Sequence, residues 1–296
     1  MPYLGELSAI LTAVLWSGTS LAFSAAAERL GAFTLNLFRL ILATIFLVLT
    51  IIIAGFDYSL SGNQVFYLAL SGLVGLVIGD QFLFNSYRHI GARLTMLLMA
   101  LSPAMSGILA YFFLGESLSF WGITGMFITM GGIALVVFER QEVPTSKYKI
   151  SPIGIFHGLM AALGQAGGLI LAKFAFMEGD INGFVATFVR IFVSVAIMFP
   201  LALGLRRFKN PITVFKQDHK AFYSTVTGTV LGPYLGITTS LIAVAHAKVG
   251  IASTLMSTMP IIMLPMIRYI YKERLNWRAV TGALIAVAGV AILFFK

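Results

Sequence analysis

Not one cysteine occurs in this chain, which excludes disulfides, thiolate metal ligands and thiol nucleophiles together. Charge is nearly as scarce. Asp, Glu, Lys and Arg make up only 10% of the 296 residues, against about 25% in a soluble domain. Catalytic signatures are missing too: there is no HExxH, no Gly-x-Ser-x-Gly, no Walker loop and no Asp-rich diphosphate motif. The expectation is a protein that is not an enzyme and uses no metal or cofactor.

What fills the space is apolar. Hydrophobic residues occupy 59% of positions, leaving too little polar surface for water, so the expected solvent is largely lipid. A helix needs about 20 apolar residues to cross a bilayer core of roughly 30 Å. Ten such segments can be marked, at 4–27, 34–54, 64–86, 93–114, 119–138, 153–176, 183–205, 221–244, 250–271 and 276–295. The first has no basic n-region and no small-residue cleavage site, and reads as an uncleaved helix. Most connections are short; only 139–152 and 206–220 are long.

The net charge of +9 lies in these connections, which argues for membrane topology rather than nucleic acid. Arg29, Arg88, Arg93, Arg140, Lys147 and Lys149 follow the first, third and fifth segments. Arg206, Arg207, Lys209, Lys216 and Lys220 follow the seventh, and Arg268, Lys272, Arg274 and Arg278 the ninth. The other face holds only Lys248 and Lys296. By the positive-inside rule the odd-numbered loops are expected in the cytoplasm and both termini outside, in a plasma (inner) membrane.

The second half repeats the first. At an offset of 157, Gly75 falls on Gly232, Gly79 on Gly236, His89 on His246, Met99 on Met256 and Pro103 on Pro260. Glu116 falls on Glu273, Gly125 on Gly282 and Gly132 on Gly289 in the same register, and Arg39 pairs with Arg190 after a small gap. Five helices per half is an odd number, so the second copy enters the membrane from the opposite side. The expected fold is therefore all-α, ten transmembrane helices as two inverted five-helix repeats, at 1–138 and 153–296 with a linker at 139–152. Inverted repeats are a transporter architecture, because one scaffold can take two oppositely open states. A channel or scaffold from an old duplication is the bland alternative.

An ordered series of short motifs carries a family likeness. It runs through Leu15-Trp16-Ser17, Phe38-Arg39, Gly79-Asp80-Gln81-Phe82-Leu83-Phe84, Leu101-Ser102-Pro103 and Phe113-Leu114-Gly115-Glu116-Ser117-Leu118, with a second-half counterpart from Pro260 to Glu273-Arg274-Leu275. Over nearly its whole length the chain resembles the ten-helix drug/metabolite transporter superfamily, in particular its bacterial EamA-type branch. The resemblance implies a substrate pocket between the halves and, from the branch's bacterial members, efflux. It also implies cytoplasmic termini, where the charge count puts them outside.

Of the charged residues inside apolar segments, four are candidates for the protein interior: Arg39, Asp80, Lys173 and Arg190. A charge at mid-membrane costs about 2.5–3.5 kcal/mol on insertion scales, so such groups face the interior, a wet cavity or the interface. Arg39 and Arg190 either snorkel, pair structurally or touch the substrate at a gate. Asp80, whose repeat position is Ile237, either pairs with an arginine, binds a cation or takes up a coupling proton. Lys173 is expected to snorkel. Polar and soft side chains form a second layer of candidate lining: Trp16, Ser20, Gln81, Asn85, Met99, Gln165, Tyr234, Thr238 and Met256. Each alone is better explained by bonding between helices; together they suggest a pocket. Pro103 and Pro260 should kink the fourth and ninth helices. Three cations against one acid favour an amino acid or organic anion, carried by alternating access and exchanged for a proton or counter-substrate. A cationic or aromatic substrate held by Trp16, Tyr234 and Asp80 is the alternative.

Overall fold

The structure is a computed structural model that describes residues 3–139, 151–259, 261–262 and 277–293. All its elements are helical. In chain order these are α1 (Leu4–Leu30), α2 (Ala32–Ala54), α3 (Gly62–Gly72), a π-helical stretch (Leu73–Gly79), α4 (Asp80–Met99), α5 (Ser102–Leu114), α6 (Phe120–Glu139), α7 (Pro152–Met177) and α8 (Gly183–Gly204). Then come α9 (Pro211–Gln217), α10 (His219–Thr229), a second π stretch (Val230–Gly236), α11 (Ile237–His246), α12 (Val249–Met256) and α13 (Trp277–Leu293). Among the described residues, six helical spans are long and apolar enough to cross a membrane. They are Leu4–Leu30, Ala32–Ala54, Gly62–Gly91, Pro152–Met177, Gly183–Gly204 and His219–His246, and shorter apolar helices accompany them. The protein is an α-helical, multi-pass membrane protein.

Its burial pattern is that of a bundle in lipid. Large apolar side chains such as Ile45, Leu49, Ile52, Phe112 and Phe127 point outward, while Ala9, Ala13, Ser17, Ala43 and Thr187 fill the interior. Small residues there let backbones approach, which is the main source of attraction between helices already surrounded by hydrocarbon. A Cβ on Gly164 of α7 would come 2.7 Å from the Gly79 Cα. The α6–α13 seam works the same way: a Cβ on Gly132 would lie 2.6 Å from the Gly282 oxygen, and one on Gly289 2.9 Å from the Gly125 oxygen.

Where the chain turns, the sequence supplies the means. Gly31, at φ 81° and ψ 157°, is the single residue between α1 and α2. Gly91, at φ 77°, marks the end of the third span inside α4, a conformation that a side chain would strain. The connection at 206–220 is not all loop. Asn210 accepts the Ile212 N–H at 3.0 Å and Pro211 occupies the first turn, so α9 forms there. Its Phe215 then packs edge-on to Phe38 with ring centroids 5.2 Å apart.

Two interruptions recur at the sequence offset. The π stretches Leu73–Gly79 and Val230–Gly236 are 157 residues apart, with the Asp80 N–H bonded to the Gly75 carbonyl and the Ile237 N–H to the Gly232 carbonyl. The fourth segment breaks at Ala100–Leu101, just ahead of Pro103, and the chain after α12 turns at Ser257–Thr258 with the same bond pattern: Leu101 N–H to Leu98 O at 3.0 Å, Thr258 N–H to Leu255 O at 3.2 Å. Pro103 therefore starts a new helix rather than bending a continuous one, since it lacks the N–H that a continuing helix needs. Pro260, Glu273 and most of the 139–152 linker lie outside the described residues.

Two sets of contacts tie connections together. Arg29 pairs with Asp218 at 2.7 Å, joining the connections after the first and seventh segments. Lys248 Nζ donates to the Ser117 oxygen at 2.6 Å and the Val249 N–H to Glu116 Oε2 at 2.8 Å, joining the connections after the fourth and eighth segments. Glu116 thus caps α12, not the helix that follows it in sequence.

Candidate functional site

Helices α1, α2, α4, α7, α8 and α11, with both π stretches, surround an open-mouthed cavity whose empty space, solvent at its mouth included, is about 770 Å³; Trp16, Ser20, Arg39, Asp80, Met99, Gln165 and Arg190 are in its wall. A smaller chamber, about 400 Å³ with the solvent at its mouth included, adjoins it, and Trp16, Met96, Met99, Gln165 and Met259 belong to both walls.

In the wall of the main cavity stands Arg39, 4% exposed. Its Nη2 donates to Asp80 Oδ2. Its Nε and Nη2 also reach Asn36 Oδ1 at 3.0 and 2.9 Å, one helical turn back. Asn36 is itself fixed, donating through Nδ2 to the Leu76 carbonyl of the first π stretch at 3.0 Å. The guanidinium carbon lies 4.9 Å from the Phe84 ring centroid and 5.6 Å from that of Phe23, a cation–π placement that offsets part of its desolvation. Arg39 is thus paired by Asp80 and Asn36 and flanked by two aromatic rings.

This does not hold for Arg190, its counterpart in the second half. It is also 4% exposed, and its Nη2 lies against the first π stretch, 3.2 Å from where a Gly75 Cβ would stand. Its Nε is buried with no hydrogen-bond partner. One carboxylate, Asp80, therefore faces two arginines in the cavity wall.

Lys173 departs from expectation. Instead of snorkelling, its Nζ turns inward and donates to the carbonyls of Val244 at 2.8 Å, Ala247 at 3.3 Å and Ala245 at 3.4 Å. It caps the C-terminal end of α11, where a cation satisfies unpaired carbonyls and the negative end of the helix dipole. Lys173 thus drops out of the charge count at the site.

The other singled-out residues divide. Trp16, Ser20, Met99 and Gln165 are in the main wall, and Met256 lines the smaller chamber. Ser20 sits by the Tyr87 hydroxyl without a hydrogen bond of normal geometry. Tyr234 lies outside both cavities: its hydroxyl is 2.7 Å from Thr50 Oγ1 and its ring packs on Phe46 and Phe184. Thr238 bonds back to the Tyr234 carbonyl at 2.6 Å, in its own helix, and neither Gln81 nor Asn85 is in either wall. Asn36, Phe23, Phe84 and Met96 are functional neighbours that polarity alone did not single out. The spacing held a signal: from an inward Asp80, positions three, four and seven residues on are Leu83, Phe84 and Tyr87, and all three line the cavity. Among the described residues no group of three acids or histidines is placed to hold a metal.

A bundle of apolar helices around a buried, charged cavity is the form of a membrane carrier. The chain matches the EamA-like transporter family over residues 3–138 and again over 152–295, and belongs to that family. An uncharacterized transporter of Archaeoglobus fulgidus is 21% identical over 288 residues, 97% of this chain and 96% of the relative. A solved crystal structure shares the fold with a TM-score of 0.77 at 15% identity, covering 98% of this chain and 95% of its own. The protein is a membrane transporter and not an enzyme.

Proposed function

We propose that the protein is a secondary transporter for an amino acid or small organic anion, exporting it across the plasma membrane by alternating access between two inverted five-helix halves. The observation that carries the substrate class is Arg190: a buried guanidinium with an unpaired Nε in a cavity whose one carboxylate is bonded to Arg39. A buried cation without full pairing is costly, and a carboxylate supplied by the substrate would relieve that cost. The alternative of a cationic or aromatic substrate is weaker, because Arg39 already fills the seat between Asp80, Phe84 and Phe23.

The two halves are residues 1–138 and 153–296. Support comes from the paired π stretches and paired breaks at an offset of 157, and from family matches to each half. The site residues are Trp16, Ser20, Arg39, Asp80, Met99, Gln165, Arg190 and Met256, with gating at the breaks near Pro103 and Pro260. Odd-numbered loops face the cytoplasm on the charge count, and export follows the family's bacterial habit. A proton or counter-substrate drives the cycle.

The test is ligand-induced thermal stabilisation of detergent-purified protein followed by counterflow in proteoliposomes. A ligand raises apparent stability by RT ln(1 + [L]/Kd). Millimolar amino acids or organic acids should stabilise the wild type and not Arg190→Gln, and labelled ligand should exchange against internal ligand. Stabilisation by cations only, abolished in Asp80→Asn, would overturn the substrate class. Flux without trans-stimulation would indicate a channel.

A further inference from the structure

The smaller chamber is built by the repeat. Its ten lining residues form five sequence-related pairs: Met96 with Ser253, Met99 with Met256, Ala100 with Ser257 and Ser102 with Met259 at an offset of 157, and Trp16 with Gln165. Both helix breaks, Ala100–Leu101 and Ser257–Thr258, open onto it. Chemically the pairs are unequal. Ser102 is 2% exposed, and its Oγ has no hydrogen-bond partner. It is also the first residue of the 13-residue α5, whose N-cap Leu101 makes no side-chain cap. The first N–H groups of a helix have no partner within it and carry its positive end. An unbonded hydroxyl and an uncapped helix start therefore meet at one wall. No acid lines the chamber, so nothing there repels an anion.

We infer that this chamber is a second anion subsite and that the transported molecule is two-ended. One carboxylate lies on Arg190 in the main cavity, and a second anionic oxygen group reaches Ser102 and the start of α5. This rests on the reading of Arg190 as an anion seat. The lining shared by the two seats suits a methylene spacer: Met96, Met99 and Met259 belong to both walls, and unbranched thioether side chains adapt to flexible chains. The substrate class is thereby narrowed from monoacids to dicarboxylates and acids with a distal anionic group.

Titration calorimetry on the detergent-purified full chain at pH 7 tests this, with pentanedioate against pentanoate as probes. Wild type should bind the diacid about ten-fold or more tightly, the worth of a hydrogen bond to a charged group. In Ser102→Ala that ratio should fall towards one. The ligand-free variant should melt at or above the wild-type temperature, since an unsatisfied buried hydroxyl has been removed. Equal affinity of the two probes for wild type, or a ratio unchanged in Ser102→Ala, overturns the second subsite while leaving the Arg190 seat standing. Binding of neither probe overturns this inference, while the Arg190 seat stands or falls by the amino-acid stabilisation described above.

Discussion

Asp80→Asn should destabilise the protein and do so through Arg39. The two side chains are 15% and 5% exposed, so the substitution leaves a buried guanidinium without its counter-charge. Breaking a buried pair by removing one partner costs about 3–5 kcal/mol. Here Asn36 keeps both of its contacts to Arg39, and Phe84 and Phe23 still flank the cation. The loss should therefore sit near the lower end, about 3 kcal/mol. At about 2–4 °C per kcal/mol that is a fall of roughly 6–12 °C in melting temperature. The assay is tryptophan-fluorescence melting in detergent of four proteins: wild type, Asp80→Asn, Arg39→Met and the double variant. Because the stranded Arg39 charge carries most of the loss, the double variant should be more stable than Asp80→Asn alone, with a coupling energy of about 0.5–3 kcal/mol. Additive effects would show that the pair is not coupled and that Asn36 alone secures Arg39.

Two further outcomes follow from groups outside the cavity. Lys173→Met removes the cap on the α11 carbonyls and should lower stability by about 1–2 kcal/mol in the same melting assay, without changing which ligand class stabilises the protein. Asp218 accepts the Ala221 N–H at 2.9 Å and pairs with Arg29, and these bonds hold its carboxyl below the usual 3.8. Its folded-state value is depressed, so its contribution is present above the unfolded value and disappears as pH falls through the folded one. The melting-temperature gap between wild type and Asp218→Ala should close on acidification below about pH 4, and a gap that persists there would refute the linkage.

The membrane class was legible because lipid imposes long apolar runs, and the segments at 4–27, 34–54 and 153–176 lie inside α1, α2 and α7. Arg39, Asp80 and Arg190 stood out because charge inside such runs is rare. Their arrangement was less accessible. Asn36 reads as one more polar residue until its amide is seen joining Arg39 to the Leu76 carbonyl. Lys173 was misassigned because hydropathy carries no information about which carbonyls a side chain can reach in another helix. The helix α9 hid in a basic stretch, where its Asn210 and Pro211 start signals compete with a loop-like composition.

The first π stretch also sets a rotational phase. In an α-helix each residue advances about 100°, and a π turn accommodates an extra residue. The residues after Gly79 are therefore turned, relative to those before Leu73, by an angle that an uninterrupted helix would not give. Asp80 immediately follows the stretch. Its aim at Arg39 is thus fixed by a local surplus of chain rather than by its own neighbours. Winding the same residues as an uninterrupted α-helix would swing the carboxylate roughly 100° away from Arg39, whereas deleting one residue of the stretch would remove the surplus and leave its aim nearly unchanged.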